Sequence, residues 1–227
     1  MTGMLASVNS LEEAKLVLAE KVDIIDLKEP ALGALGGLDV EVVQQIVDVV
    51  AGQCLTSATI GDLPMQPELI FTAVKAMADT GVNYVKIGLF PSGNVVQVIE
   101  KIGLISKTSA LIAVLFADTN PDFDLIDNLA AAGFKGIMLD TQDKTKGSLT
   151  GIMAKAEIEL FVNHVKSRQL ISGLAGSLTL EDIHLLLPCR PHYLGFRGAL
   201  CELHQRAGQL NPLSVRRIKQ AIADYST

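Results

Sequence analysis

Two lysines lie in or next to short apolar runs, where a charged side chain is costly and needs a reason to be present. Lys28 comes two residues after Asp26 in Val22-Asp-Ile-Ile-Asp-Leu-Lys28, and Lys86 lies inside Tyr84-Val-Lys-Ile-Gly88. Both runs are β-branched and typical of buried strands. Burial lowers the pKa of a lysine from about 10.4 toward neutrality and so yields a nucleophilic amine. The two positions therefore predict Schiff-base chemistry on a carbonyl compound.

If the fold brings Lys28 and Lys86 together, each ammonium disfavours the charged form of the other, and one becomes a usable amine. The alternative is that each lysine forms a structural ion pair with a carboxylate. Two lysines at corresponding positions favour a functional role over that alternative. By position the two are equivalent, so the residues alone do not say which lysine is the nucleophile.

Two carboxylates accompany the lysines and could shuttle protons during imine formation, enolisation and dehydration. Asp26 lies on the same strand face as Lys28, and Asp140 ends the run Gly136-Ile-Met-Leu-Asp140. Charge balance for the lysines is the competing explanation for either carboxylate. Lys144 follows in a polar loop, where it could bind a phosphate as a point charge or simply be solvated.

A repeating unit positions these residues: a short apolar strand, then a polar turn and an amphipathic stretch. The unit occurs eight times, with strands predicted at 5–8, 23–27, 55–58, 84–87, 111–116, 136–139, 171–175 and 193–196. The repeat predicts an α/β fold in which residues 1–227 form one (β/α)₈ barrel, slightly shorter than the ~250 residues usual for it. A doubly wound open sheet is the lesser alternative, because no Gly-x-Gly-x-x-Gly follows the first strand.

The segments between the strands carry helix signals. Ser10 and Glu13 form a capping box before the first helix, and residues 67–77 have helical periodicity. Gly81 and Gly133 fit left-handed helix ends just before the next strand. Barrels of this kind have their active sites at the carboxyl ends of the strands, which is where the polar residues of this chain occur.

Four residues follow the seventh and eighth predicted strands, where such barrels commonly bind phosphate on backbone N–H groups and a helix N-terminus. They are Gly176 and Ser177 after one strand, and Arg197 and Gly198 after the next. Glycines let the backbone approach an anion, and the arginine offers a planar guanidinium. Tight turns would explain the glycines alone. Weaker candidates for substrate binding, at the ends of the third and fifth strands, are Ser57 and Asp118.

Composition excludes several classes of function. A net charge of −6, no Trp and 4% aromatic residues argue against a nucleic-acid surface, which needs a basic face with stacking rings. No apolar run reaches the ~18 residues of a membrane span, and no secretory signal is evident, so we expect a cytoplasmic protein. We therefore expect a small-molecule partner.

Metal and disulfide sites are not expected. The three cysteines are widely separated and fit neither a disulfide framework nor zinc-ligand spacing. The histidines are expected in helices or just before the last strand, on the rim or the far side of the barrel, at positions 164, 184, 192 and 204. Nothing in this pattern needs a metal or nucleotide cofactor.

Six motifs in this order resemble the (5-formylfuran-3-yl)methyl phosphate synthase family over nearly the whole chain. They are Asp23-Ile-Ile-Asp-Leu-Lys-Glu-Pro30 followed by Gly33 and Gly36, Ser57-Ala-Thr-Ile-Gly-Asp62, Tyr84-Val-Lys-Ile-Gly-Leu89, Met138-Leu-Asp-Thr141, Leu174-Ala-Gly-Ser177 and Gly195-Phe-Arg-Gly-Ala-Leu-Cys201. Members of that family are (β/α)₈ barrels that join two molecules of glyceraldehyde 3-phosphate into the furan precursor of methanofuran, with loss of phosphate and water.

The resemblance implies a lyase that needs no cofactor, with Lys28 as the Schiff-base lysine and Lys86, Lys144, Asp26 and Asp140 as further catalytic residues. Lys28 would attack the aldehyde of one triose phosphate, and a base, Asp140 or neutral Lys86, would remove the proton next to the iminium. Two other functions stay open: a different Schiff-base aldolase acting on a sugar phosphate, and a non-catalytic barrel that binds a phosphate metabolite. The oligomeric state is open as well, with a homo-oligomer possible.

Overall fold

Eight parallel strands close into a barrel in the computed structural model of the chain, which describes residues 1–91 and 93–225. The strands are β1 (Gly3–Val8), β2 (Ile24–Leu27), β3 (Leu55–Thr59), β4 (Tyr84–Gly88), β5 (Leu111–Phe116), β6 (Gly136–Asp140), β7 (Ile171–Leu174) and β8 (Tyr193–Phe196). Each pairs with its sequence neighbour, and β1 also pairs with β8, which closes the ring. The (β/α)₈ barrel is confirmed, and the open sheet is excluded.

Helices connect the strands on the outside of the barrel. They are α1 (Leu11–Ala19), α2 (Val40–Val50), α3 (Pro67–Ala78), α4 (Val95–Gly103), α5 (Leu125–Ala131), α6 (Leu149–Ile152), α7 (Lys155–Ser167), α8 (Leu180–Leu186) and α9 (Pro212–Asp224). Gly81 and Gly133 have φ values of 82° and 83°, as the C-cap prediction requires. The Ser10 side chain caps α1 by accepting from the Glu13 N–H, whereas the Glu13 carboxylate accepts from Asn9 N–H rather than closing the box on Ser10.

Two apolar clusters hold this architecture together. The larger lies between the strands and the helices and includes the outward residues of the strands, such as Val8, Leu27 and Ile87. The smaller fills the inside of the barrel and includes Leu5 and Met138. Because the strands are buried on both faces, they appear in the sequence as nearly continuous apolar runs rather than alternating ones.

The segment after β2 folds into the mouth of the barrel. Leu35 is 1% exposed and packs in the inner cluster, and Asp62 accepts the N–H groups of Ala34 (2.8 Å) and Leu35 (2.9 Å). Gly88 makes room for it, since a Cβ there would lie 2.9 Å from the Leu35 Cδ1 atom. Leu35 thereby fills the mouth next to β4 and β5 and leaves the rest of the mouth open.

Across the described residues, none of the helices combines the length and the apolar character that crossing a membrane would require.

Candidate active site

A cavity of about 330 Å³ opens at the carboxyl ends of the strands, in the part of the mouth that Leu35 leaves free. Most residues predicted for the site line it: Asp26, Lys28, Lys86, Asp140, Lys144, Gly176, Ser177, Arg197 and Gly198. Ser57 and Asp118 are the two predicted residues that do not line it. The fold therefore gathers groups from β1, β2, β4 and β6 to β8 around one polar space.

The deepest polar group in the barrel is Asp26, which is fully buried. Its carboxylate accepts from Lys86 Nζ (2.8 Å), Ser57 Oγ (2.6 Å) and Ser7 Oγ (2.9 Å). Strand register produces this set, because Ser7 and Ser57 are the direct neighbours of Asp26 on β1 and β3. Burial raises the pKa of Asp26, but Lys86, Lys28 and the hydrogen bonds outweigh it, and the net pKa is lowered. We refer to Ser7, Asp26, Ser57 and Lys86 as the deep layer.

Lys86 is thus a member of an ion pair, which is the structural alternative considered for it above. Its side chain is 4% exposed and that of Asp26 is 0% exposed. Ser57, predicted to bind substrate, donates to Asp26 instead and is itself buried. The contacts of both residues are with the protein, and their effect is to hold one ionised carboxylate in place under the cavity.

Lys28 differs from Lys86 although the sequence makes them equivalent. It is 6% exposed and faces the cavity, two residues beyond Asp26 on the same side of β2. Its Nζ atom makes no hydrogen bond or ion pair with any residue that the structure describes. The pKa of Lys28 is lowered to about 8: burial is the largest cause, Lys144 and Lys86 act in the same direction, and Asp140 and Asp26 oppose them. Lys28 is therefore a buried amine that loses its proton at lower pH than an ordinary lysine.

A second carboxylate–lysine pair lies at the end of β6. Asp140 accepts from Lys144 Nζ and from the Thr141 N–H (2.7 Å), and Lys144 also donates to the Thr141 carbonyl oxygen. Burial raises the pKa of Asp140, but Lys144, Lys28 and these hydrogen bonds lower it to about 2. The Lys144 side chain is 13% exposed. Lys144 therefore points into the site rather than into solvent, and Asp140 remains a carboxylate.

Asp118 holds the loop that carries Lys144. Its carboxylate is 3% exposed, accepts the N–H groups of Gln142 (2.7 Å) and Asp143 (2.8 Å), and lies 3.7 Å from Lys146 Nζ. These donors belong to the protein, so the geometry gives Asp118 a supporting place beside the site rather than the substrate-binding place predicted for it. We refer to Asp118 and residues 140–144 as the β6 loop.

The turn after β7 presents backbone N–H groups to the cavity. Gly176 and Ser177 have φ values of 109° and 48°, and a Cβ on Gly176 would meet the Thr141 side chain at 2.8 Å. In the described chain no protein acceptor pairs with the N–H groups of Gly176, Ser177 or Gly198. The N-terminus of α8 is already capped by Asp182, which accepts from the Thr179 N–H (2.7 Å). The turn therefore offers donors to an anion just before the N-terminus of α8.

Arg197 uses its guanidinium within the protein. It forms a buried ion pair with Glu13 and donates to the carbonyl oxygens of Ser7, Arg206 and Gly208. Its side chain therefore does not present the planar fork to the cavity as the sequence suggested. Arg197 is nevertheless part of the cavity wall, between β8 and Gly198.

Three residues that the sequence reasoning did not select belong to the site. Ser7 could have been found from register, since it faces Asp26 on the neighbouring strand. His204 and Arg206 line the cavity from the segment after β8, where no periodic pattern marks them. Among the described residues, no group of three or more His, Cys, Asp or Glu side chains could hold a metal ion.

A comparison with protein-family models matches residues 4–219 to the family described as 4-HFC-P synthase. A Methylorubrum extorquens protein provisionally named (5-formylfuran-3-yl)methyl phosphate synthase is 38% identical over 219 residues, covering 96% of this chain and 91% of that protein. The (5-formylfuran-3-yl)methyl phosphate synthase of Methanocaldococcus jannaschii is 31% identical over 230 residues, covering 96% and 98%. That of Methanococcus aeolicus is 31% identical over 215 residues, covering 89% and 92%.

Solved structures with the same architecture are more distant in sequence. Phosphoribosyl anthranilate isomerase from Thermus thermophilus superimposes with a TM-score of 0.70 at 14% identity, covering 99% of this chain and all of that one. 3-Hexulose-6-phosphate synthase from Salmonella typhimurium also gives 0.70, at 15% identity and the same coverage. At these identities the likeness shows the barrel fold alone.

Proposed function

The chain belongs to the 4-HFC-P synthase family, and from this premise we propose that it condenses two molecules of glyceraldehyde 3-phosphate into (5-formylfuran-3-yl)methyl phosphate. Phosphate and water are lost, and the chemistry runs through an imine on Lys28. The relatives carry the name of this product, while the substrate and the imine are inferred from the site and from the family resemblance. The product would serve the biosynthesis of methanofuran.

The observation that carries the proposal is the state of Lys28. It is a buried amine with no partner among the described residues, with its pKa lowered to about 8, on the wall of a polar cavity. A useful fraction of such an amine is neutral near pH 7, so it can attack an aldehyde. Lys86 also lines the cavity, but its ammonium is paired with Asp26.

The proposed reaction begins when the Lys28 amine adds to the aldehyde carbon of one triose phosphate. Loss of water from the carbinolamine gives an iminium, which makes the neighbouring C–H bond acidic. Asp140, held as a carboxylate by Lys144, accepts that proton, and the enamine expels inorganic phosphate from C3 by β-elimination, which leaves an enol next to the iminium. The enol carbon C3 adds to the C2 carbonyl of the second triose phosphate after that molecule has isomerised to the ketose. Ring closure through its C1 hydroxyl with loss of two water molecules, and hydrolysis of the imine, then release the furan and regenerate the Lys28 amine. No oxidant or reductant is needed.

The two phosphate esters need anion-binding groups around the cavity. The free backbone N–H groups of Gly176, Ser177 and Gly198 lie on the wall formed after β7 and β8, and Lys144 lies on the wall formed after β6. Backbone N–H groups in such turns bind phosphate well, because several donors point to one place. Lys144 would serve both Asp140 and a substrate oxygen.

Reductive trapping tests the proposal. The protein is incubated with glyceraldehyde 3-phosphate and borohydride, and peptide mass spectrometry locates the adduct, while furan formation is followed separately by absorbance and mass. We expect one reduced adduct, on Lys28. Lys28→Arg keeps the charge but cannot form the imine, so it should show neither adduct nor product.

Lys15→Arg is the matched control, because Lys15 is an exposed lysine on α1. It should leave trapping and furan formation unchanged. An adduct on Lys86 would exchange the roles of the two lysines. Product formation by Lys28→Arg would refute the imine, and retro-aldol cleavage of a sugar phosphate without furan would favour the other aldolase.

A further inference from the structure

Arg197 has no hydrogen-bond donor left for a substrate. A guanidinium carries five N–H groups. Nε donates to the Arg206 carbonyl (2.8 Å), Nη1 to the Ser7 carbonyl (3.2 Å) and to Glu13, and Nη2 to Glu13 (3.2 Å) and the Gly208 carbonyl (3.0 Å). These acceptors account for all five, and two of the contacts would have to break before Arg197 could bind a phosphate in a bidentate manner.

Two of those contacts fix the segment from Cys201 to Leu210, which we refer to as the β8 loop. The loop is closed at its base by an antiparallel bridge between Cys201 and Leu210, and Glu202 N–H donates to the Gln209 carbonyl (3.0 Å). The Arg197 guanidinium contacts this loop by donating to the carbonyl oxygens of residues 206 and 208. The β8 loop is therefore held at its base and from one side.

The backbone of the β8 loop turns in an uncommon way. Leu203 and His204 are consecutive non-glycine residues with φ values of 52° and 57°, in the left-handed region that such residues seldom occupy. The turn places Leu203 in solvent while His204 and Arg206 line the cavity. Residues kept in such a conformation are found preferentially at functional sites.

Arg206 has the donors that Arg197 lacks. Its side chain lines the cavity, and its one hydrogen bond within the described structure runs from Nη2 to the Gly33 carbonyl (2.9 Å), so four N–H groups have no protein acceptor. The backbone of Gly198 lies beside it, since a Cβ there would be 4.0 Å from the Arg206 Cβ. A phosphate at this wall would meet a guanidinium and a free backbone N–H together.

We propose that Arg206 binds a phosphate group of the substrate, and that Arg197 supports the β8 loop that presents it. The inference rests on the proposed function, because it takes the substrate to be a phosphate ester. Two parallel N–H donors of a guanidinium match two oxygens of a phosphate, and in a partly buried site such a charged pair is strong. The remaining bond to Gly33 connects this contact to the segment that begins with Lys28.

The competing explanation is that Arg206 only ties the β8 loop to Gly33. Two aldehydes separate the explanations: glyceraldehyde 3-phosphate and glyceraldehyde, which has no phosphate. The rate of trapping on Lys28 is measured against the concentration of each aldehyde for the wild type, Arg206→Met and Arg206→Lys. We expect Arg206→Met to weaken the apparent affinity for glyceraldehyde 3-phosphate by at least about 30-fold and to leave glyceraldehyde within about twofold. Arg206→Lys keeps the charge, so its apparent affinity for glyceraldehyde 3-phosphate should lie between those of the wild type and Arg206→Met.

Equal losses for both aldehydes, or no loss for either, would overturn the assignment. Arg197→Lys is the matched variant: if it lost more selectivity for the phosphorylated aldehyde than Arg206→Lys, Arg197 would be the phosphate ligand. Calorimetric titration with inorganic phosphate provides a readout that needs no imine. Loss of phosphate binding in Arg206→Met together with no adduct in wild type would refute the Schiff base while supporting Arg206.

Discussion

The deep layer and the β6 loop each contain one aspartate paired with one lysine, yet the two pairs are built differently. In the deep layer, Asp26 and Lys86 come from strands and are almost fully buried at the floor of the cavity, and two serine hydroxyl groups also donate to the carboxylate. In the β6 loop, Asp140 ends a strand, but its partner Lys144 comes from a turn and is partly open to the cavity. The first pair is therefore the more deeply buried, and the lysine of the second lies where a substrate could compete for it.

The difference separates two tasks that the residue types alone do not distinguish. A buried, fully satisfied ion pair is suited to a constant electrostatic role, because removing either partner leaves an uncompensated charge. A pair at the cavity wall can release the lysine to a substrate and let the carboxylate accept a proton. Lys28 lies between the two, and its pKa is influenced by the charges of both.

The largest effect is expected at Lys28 itself. Lys28→Met should lower furan formation by roughly 10⁴-fold or more, because the covalent step is lost. The same change should raise the free energy of unfolding at pH 7 by on the order of 3 kcal/mol, since a pKa of about 8 lies below the unfolded value of 10.5.

The sign of that stability change can be checked by pH. Between about pH 8 and 10.5 the unfolded chain binds more protons at Lys28 than the folded chain, so wild-type stability should rise with pH there. The advantage of Lys28→Met should therefore shrink as pH increases above about 8. Chemical denaturation at pH 7 and 10 measures both, and a destabilised Lys28→Met protein at pH 7 would contradict the prediction.

Asp26→Asn should break the deep layer. It leaves the buried Lys86 ammonium without its counter-ion, so we expect the free energy of unfolding to fall by about 3–5 kcal/mol. Urea denaturation measures the loss. Ser57→Ala, which removes one hydrogen bond and keeps the ion pair, is the graded control and should cost about 1.5–3 kcal/mol. A loss below 1 kcal/mol for Asp26→Asn would mean that the layer is not structural.

Asp140→Asn, in the β6 loop, should lower activity strongly and stability less than Asp26→Asn does. Furan formation should drop by about 10²- to 10³-fold because a proton acceptor is lost. The free energy of unfolding at pH 7 should fall by only about 2 kcal/mol, the stability that goes with lowering the Asp140 pKa from 3.8 to about 2. Trapping of the first imine and overall turnover are measured in parallel. If turnover were unaffected, Asp140 would be a charge partner only.

The smallest expected effect is a shift in the pKa of Lys28, which tests whether the β6 loop acts on this amine. Competitive acetylation followed by peptide mass spectrometry gives the pH profile of its reactivity, which should rise about tenfold per pH unit below 8 and level off above. Asp140 is the strongest influence that raises the pKa of Lys28, so Asp140→Asn should move the midpoint to lower pH. A midpoint that moved upward would show that the β6 loop does not act on Lys28 in this way.

The barrel could be predicted from the sequence because its signal is local and repeated. Strands buried on both faces give apolar runs, and the polar residues that interrupt them, such as Asp26 and Lys86, collect at one end of a parallel barrel. The gathering of the catalytic candidates around one cavity follows from that geometry. Each of these inferences needs only the strand repeat and the rule that all strand ends meet.

What could not be predicted depends on contacts between distant segments. Lys28 and Lys86 have the same local pattern, and only their three-dimensional partners separate them. The sequence predicts that Arg197 binds phosphate, but Glu13, from α1, and the carbonyl groups of the β8 loop use its donors. Arg206 lies in an irregular loop without periodicity, so nothing in the local sequence predicts where its side chain points.

The segment after β2 that carries Ala34 and Leu35 affects how the mouth of the barrel moves. Ala34 and Leu35 lie in a loop, yet their amides are bonded to Asp62 and Leu35 is packed inside the barrel. These amides should exchange with deuterium more slowly than other loop amides, because Leu35 is packed inside the barrel and Asp62 accepts from both. The polypeptide around Leu35 would then stay in place during turnover, and the amine would meet each aldehyde without a preceding loop rearrangement.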